Sequence, residues 1–99
     1  MRFIKNIVEH IEDEVESAKE YAETYVEQHA RGNNTLAAKY KTMAEDELRH
    51  AMFFHEQAAK EIEELSKTYT PPVEMLEKWE HEHKEYVECV AWIKQMLSM

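Results

Sequence analysis

The sequence predicts an all-α protein: an antiparallel helical hairpin plus a third helix, forming one domain over residues 1–99, with a four-helix core completed by dimerisation. Three observations carry this. One glycine and two prolines in 99 residues leave few places to turn. A hydrophobic content of 43%, with 10% aromatic residues, is too high for a disordered chain. Apolar residues recur at helical spacing through three long stretches, and two short breaker segments separate them.

The first helix runs from about Phe3 to Ala30. Its stripe reads Ile4, Ile7, Val8, Ile11, Val15, Ala18, Tyr21, Ala22, Tyr25, Val26. Arg31-Gly32-Asn33-Asn34-Thr35 ends it: Gly32 suits the left-handed position after a helix, and Asn34 or Thr35 can cap the next one. The second helix runs from about Leu36 to Ser66 and stops at Tyr69-Thr70-Pro71-Pro72. Thr70 is the expected cap of the third helix, and a proline in its first turn fits a helix start. Helix three runs from about Val73 to Leu97, with the stripe Leu76, Trp79, His83, Tyr86 or Val87, Val90, Ile93, Leu97. At about 1.5 Å per residue the first two helices span roughly 40–45 Å each. Their short connection favours antiparallel packing. Three helices leave a bundle incomplete, so a two-fold dimer through the first two is expected, and it needs only one self-complementary patch.

Composition bounds function. The formal charge of −9 disfavours nucleic acid and anionic membrane surfaces as partners and draws cations. A single cysteine, Cys89, excludes an intramolecular disulfide and any multi-cysteine zinc site. No secretory leader and no run of membrane-spanning length are visible, so the expected location is cytoplasmic. Gly32 is the only glycine, which removes any glycine-rich phosphate loop, and no nucleophile motif is present.

The chemistry-bearing residues interrupt the apolar stripes. Positions 36, 40, 43, 47, 50, 54, 58 and 62 read Leu, Tyr, Met, Glu, His, Phe, Ala, Ile. Glu47 and His50, three apart, share one helix face and can close on one metal ion. A carboxylate on a face meant for burial is costly unless it is paired or bound to a cation. Helix one carries its own intruder, Glu14, with Tyr21 two turns further along the same face. In an antiparallel hairpin, Glu14 and the Glu47/His50 pair sit near mid-length and reach the same level. A two-fold axis doubles this half-site to four Glu and two His, the ligand inventory of di-iron and di-manganese carboxylate bundles. Mixed oxygen and imidazole ligands suit iron or manganese, and zinc also fits. Spacing alone is weak evidence. With 19 Glu and six His, about one Glu-x-x-His is expected by chance, and two occur, Glu47…His50 and Glu80…His83. Placement inside both stripes carries the weight.

Glu12-Asp13-Glu14-Val15-Glu16-Ser17-Ala18-Lys19-Glu20-Tyr21 resembles the first helix of ferritin-like proteins, especially the short two-helix encapsulated ferritins. Ala44-Glu45-Asp46-Glu47-Leu48-Arg49-His50-Ala51 resembles their second helix, where an acidic run ends in Glu-x-x-His and Ala. The resemblance covers about residues 10–62. It implies Glu14, Glu47 and His50 as iron ligands, Tyr21 beside the metal or bonded to a ligand, and Asp13 and Glu16 as an acidic route for iron. It also implies Fe(II) oxidation by dioxygen at a di-iron site between subunits, with a capsule shell protein as a partner.

Each residue has a plainer alternative. Glu14 and Glu47 can be boundary residues whose carboxylates reach solvent. Tyr21 can be a core residue whose hydroxyl finds any acceptor. Glu80 and His83 form a candidate second site, against a buried histidine hydrogen-bonded to a neighbour. His10, His29 and His55 read as surface or helix-end residues, and Cys89 as a buried thiol. The expectation is therefore an iron-binding homo-oligomer with ferroxidase chemistry. Its alternatives are a metal-free assembly protein working through Trp79, Tyr86, Trp92 and Ile93 of helix three, or a structural zinc site.

Overall fold

The structure, a computed structural model, describes residues 2–99, with side chains from residue 4 onwards. Its elements are α1 (Arg2–Ala30), α2 (Asn34–Thr68) and α3 (Val73–Leu97), and no strand occurs among the described residues. The molecule is a rod of 55 × 17 × 17 Å. Its long axis is set by α2, whose 35 residues span about 52 Å at the helical rise.

The chain runs up, down and up. Ile4 and Val8 near the start of α1 pack with Ile62 near the end of α2 and with Met75, Leu76 and Trp79 at the start of α3. At the opposite end, Tyr25 of α1 and Ala37 of α2 share the main core with Ile93, Met96 and Leu97 of α3. The seam between α1 and α2 is made of small side chains: Ala18, Ala22, Ala44, Ala51 and Ala58 are all fully buried. Such residues let two helix backbones approach closely, and Ile7, Ile11, Val15 and Leu48 fill the third direction. No charged or polar residue is fully buried among those described.

The α1–α2 turn follows from one glycine. Gly32 sits at φ +80°, where only a residue without Cβ is comfortable. The Asn33 amide donates to the Gln28 carbonyl at 3.0 Å and the Gly32 amide to the His29 carbonyl at 3.1 Å. This is the Schellman pair of bonds, which satisfies the last carbonyls of α1. Capping of α2 differs from expectation. Asn33, not Asn34 or Thr35, is the N-cap, and its side chain makes no capping bond. The Asn33 side-chain amide instead donates to Gln28 Oε1 at 2.7 Å, so it is turned back towards α1.

Thr70 does not cap α3. The N-cap is Pro72, whose carbonyl accepts the Met75 and Leu76 amides at 3.1 and 3.2 Å. A residue before proline is held extended, and Pro71-Pro72 then carries the chain two residues past Thr70 before the helix begins. The choice left open in the α3 stripe is resolved: Tyr86 faces the core, whereas Val87 is 50% exposed.

Candidate metal site on the hairpin

Glu14, Glu47 and His50 come together. Each offers one ligand atom, and these atoms all lie within 4.8 Å of one another. His50 Nδ1 is 3.5 Å from Glu14 Oε2 and 3.9 Å from Glu47 Oε2. The approach is built by the alanine seam: Glu14 lies one residue from Val15 and four from Ala18, while Glu47 and His50 flank Leu48 and precede Ala51. With those residues buried between the helices, the carboxylates sit at the rim of the seam. Glu14 and Glu47 side chains are 23% and 25% exposed, and His50 is 57% exposed.

One oxygen stands out. Glu14 Oε2 is shielded from solvent and has no hydrogen-bond partner. A buried carboxylate oxygen without a donor forfeits the hydration it had in the unfolded chain, a cost of about 1–3 kcal/mol or more. A cation between the three side chains would remove that cost, and the donor set, two carboxylates and one imidazole nitrogen, is of a kind that iron, manganese and zinc accept.

The trio lies along the α1/α2 groove, which α3 does not line. Towards the α1 N-terminus that groove is lined by Asn6, Ile7, His10, Phe53, Phe54 and Gln57, with His10 stacked on Phe54 at 5.0 Å. In the other direction Tyr21 is half-buried and meets Tyr40, ring centroids 6.2 Å apart. Tyr21 thus shares the face of Glu14, as its spacing predicts. Leu36, Met43 and Phe53 on α2 are 42%, 40% and 57% exposed. Asp13 and Glu16 are exposed.

The second Glu-x-x-His pair, Glu80 and His83, joins no group of three potential ligands among the described residues. Glu80 is exposed, and Glu14, Glu47 and His50 are the only trio of potential ligands found among the described residues. His83 is exposed rather than buried, and its Nδ1 lies 2.8 Å from Nε2 of His55. His55, read from the sequence as a surface residue, is half-buried among rings of α3. Burial, then the neighbouring His83, lower its pKa against an opposing pull from Glu56. Sequence reasoning missed this because His55 lies five residues beyond His50, about 140° around the helix. That is off the stripe and on the side where α3 docks.

The groove between α1 and α3 was also invisible in the sequence. It is lined by Glu12, Glu16, Glu82, Glu85, Tyr86 and Cys89. Burial, then a hydrogen bond and charge from Glu12, raise the Glu82 pKa to about 7. Burial also raises the Cys89 thiol, consistent with an inert side chain.

Comparison with known protein families, with curated proteins and with solved structures finds no match to this chain. No helix among the described residues is long and apolar enough to cross a membrane.

Proposed function

We propose that the protein binds iron and oxidises Fe(II) at a carboxylate–histidine site shared between two copies of the chain. The observation that carries this reading is the solvent-shielded Glu14 Oε2, which accepts no hydrogen bond, within reach of Glu47 and His50. A purely structural boundary glutamate would turn both oxygens to water, whereas Oε2 of this one is shielded from it.

Three ligands from one chain fill only part of the coordination shell of an iron ion. The same hairpin face carries exposed Leu36, Met43 and Phe53, apolar surface flanking Glu47 and His50. A two-fold axis over this face would bury those residues, complete a four-helix core and bring a second Glu, Glu and His to the first. The resulting four carboxylates and two imidazoles match the ligand count of ferritin-like di-iron and di-manganese bundles. Bound there, the two irons would supply the electrons that reduce dioxygen. The residues do the rest. Glu14 and Glu47 balance the cation charge in a partly dry site and fix its position, and His50 contributes its Nδ1 nitrogen. Tyr21 and Tyr40 close one end of the face against water.

A second reading, assembly without metal, draws on α3, where of the four residues expected to work Trp92 is 46% exposed, beside Val87 at 50%, whereas Ile93 is fully buried and Trp79 and Tyr86 pack against the core. One experiment separates the two: anaerobic Fe(II) titration of metal-free protein, then air, with mass measured in solution. The iron reading expects a dimer or larger oligomer, about one iron per chain from the two-iron inventory, and oxygen-dependent ferric absorbance lost in Glu47→Ala and Glu14→Ala. Zinc binding without oxygen consumption would make the site structural. Unchanged iron oxidation in both variants would sink the proposal, and no metal binding at all would leave the assembly reading.

A further inference from the structure

His55 and His83 come from different helices, 28 residues apart, yet present ring nitrogens to one another. Nε2 of His55 and Nδ1 of His83 are 2.8 Å apart, with centroids 4.9 Å apart and rings inclined at 34°. Two neutral imidazoles can meet at that distance in two ways. One nitrogen can donate its proton to the other's lone pair, or both lone pairs can converge on an electrophile placed near them. A transition metal lies about 2.0–2.1 Å from an imidazole nitrogen, so two such nitrogens at adjacent positions around it are about 3 Å apart. The hydrogen-bonded pair therefore needs to open by only a few tenths of an ångström to admit an ion.

The rings are held in place for it. His55 stacks on Tyr86 at 4.4 Å and 10°, and on Trp79 at 5.1 Å and 30°. Trp79 also faces His83 at 6.4 Å. Trp79, His83 and Tyr86 follow one another at helical spacing on α3, so one turn-to-turn stack fixes both imidazoles. Little rotamer freedom is left to lose on binding. The site is also open: His83 is exposed and His55 half-buried, so water can fill the remaining coordination positions. The neighbouring Glu56 adds negative charge beside the pair.

We propose that His55 and His83 form a two-histidine site for a nitrogen-preferring divalent transition ion, Cu(II), Ni(II) or Zn(II), that ties α3 to α2. This site is independent of the iron proposal. Its donors are two nitrogens rather than carboxylate oxygens, which shifts preference away from iron and manganese towards the copper end of the divalent series. Cu(II) is accordingly expected to bind more tightly than Ni(II) or Zn(II).

Trp79 supplies the readout, because a paramagnetic Cu(II) bound beside it quenches its fluorescence. Trp92→Phe leaves Trp79 as the only tryptophan of the two in the chain. Titrating Cu(II) into the full-length Trp92→Phe protein is expected to give a saturable quench at one ion per chain. The quench should vanish in Trp92→Phe/His83→Ala and in Trp92→Phe/His55→Gln, and persist in Trp92→Phe/Glu47→Gln. With the carboxylate trio disabled, Zn(II) is expected to raise the melting temperature of the Glu47→Gln protein and not of the Glu47→Gln/His83→Ala protein. Because His83 is exposed, that variant keeps its core, and circular dichroism verifies this. A quench that does not saturate, that survives His83→Ala, or that disappears with Glu47→Gln overturns the proposal. The pair is then a hydrogen bond between rings and nothing more.

Discussion

The hairpin and the third helix are joined in different ways. Between α1 and α2 the contact is alanine on alanine, with Ala18, Ala22, Ala44, Ala51 and Ala58 fully buried along the seam. α3 is held instead by large side chains at intervals: Leu76 and Trp79 at one end, Tyr86 in the middle, and Ile93, Met96 and Leu97 at the other. An alanine seam fixes backbone separation, because there is no side chain to rearrange. A seat of large side chains fixes shape but leaves room to adjust. The difference shows where precision resides. Glu14 faces Glu47 and His50 because two backbones are locked together, whereas the groove between α1 and α3 is wide enough to hold four glutamates and a thiol.

The largest expected effect tests whether the two parts are separable. Ile93 is the largest fully buried side chain among the described residues and belongs to α3. Ile93→Ala removes most of a buried aliphatic side chain and leaves a cavity, a cost of about 2–5 kcal/mol. Thermal unfolding of the metal-free protein should show a correspondingly lower midpoint. Below that midpoint, metal uptake by Glu14, Glu47 and His50 should be retained, since the trio and the alanine seam belong to α1 and α2, whereas Ile93 belongs to α3. Equal loss of stability and metal uptake would mean that α3 positions the trio as much as the seam does.

A smaller effect with a telling sign concerns the trio alone. Glu14→Gln removes a carboxylate whose buried oxygen has no donor. In metal-free protein this is expected to stabilise by about 1 kcal/mol, because the negative charge is removed and an NH2 group that can donate to its neighbours replaces the carboxylate oxygen that had no donor. With Fe(II) present the order should invert, because binding to the native state stabilises only the parent. Urea unfolding with and without metal, under anaerobic conditions, measures both signs. Destabilisation in metal-free protein would show that Glu14 is already well partnered, and the main support for metal binding there would fall.

The sequence made much of this legible. Helical periodicity and the two breaker segments placed all three helices within about two residues of their ends, the usual uncertainty where helices fray. Glu14, Glu47 and His50 were legible because each interrupts an apolar stripe, and the stripes face each other once the hairpin closes. Capping was less so. Asn33 spends its side chain on Gln28, a partner across the turn that local pattern does not reveal. The bounds and apolar stripe of α3 were legible, but the polar contacts it makes with the hairpin were not, for one reason. Its rotation about the hairpin depends on side-chain fit rather than on a repeat, so neither the His55–His83 contact nor the Glu12–Glu82 contact has a counterpart in spacing.

The smallest expected effect separates the two sides of α3 by pH. Glu82, in the α1/α3 groove, has its pKa raised to about 7 by burial and by Glu12. A raised folded-state pKa gives stability that is fully present below the unfolded value, near 4.5, and lost as pH rises through about 7. His55, between α2 and α3, is shifted the other way. Burial and His83 lower its pKa, so its contribution is present above 6.5 and is lost as pH falls through the lowered value. The two faces of one helix thus oppose each other in weakly acidic solution. Urea midpoints of metal-free protein from pH 4.5 to 7.5 should show it once each group is removed in turn. The parent should lose stability relative to Glu82→Gln as pH rises across that range. The parent should instead gain stability relative to His55→Gln as pH rises towards 6.5. Parallel pH profiles for all three proteins would mean that neither contact is kept in solution, and that α3 rests on Ile93, Met96 and Leu97 alone.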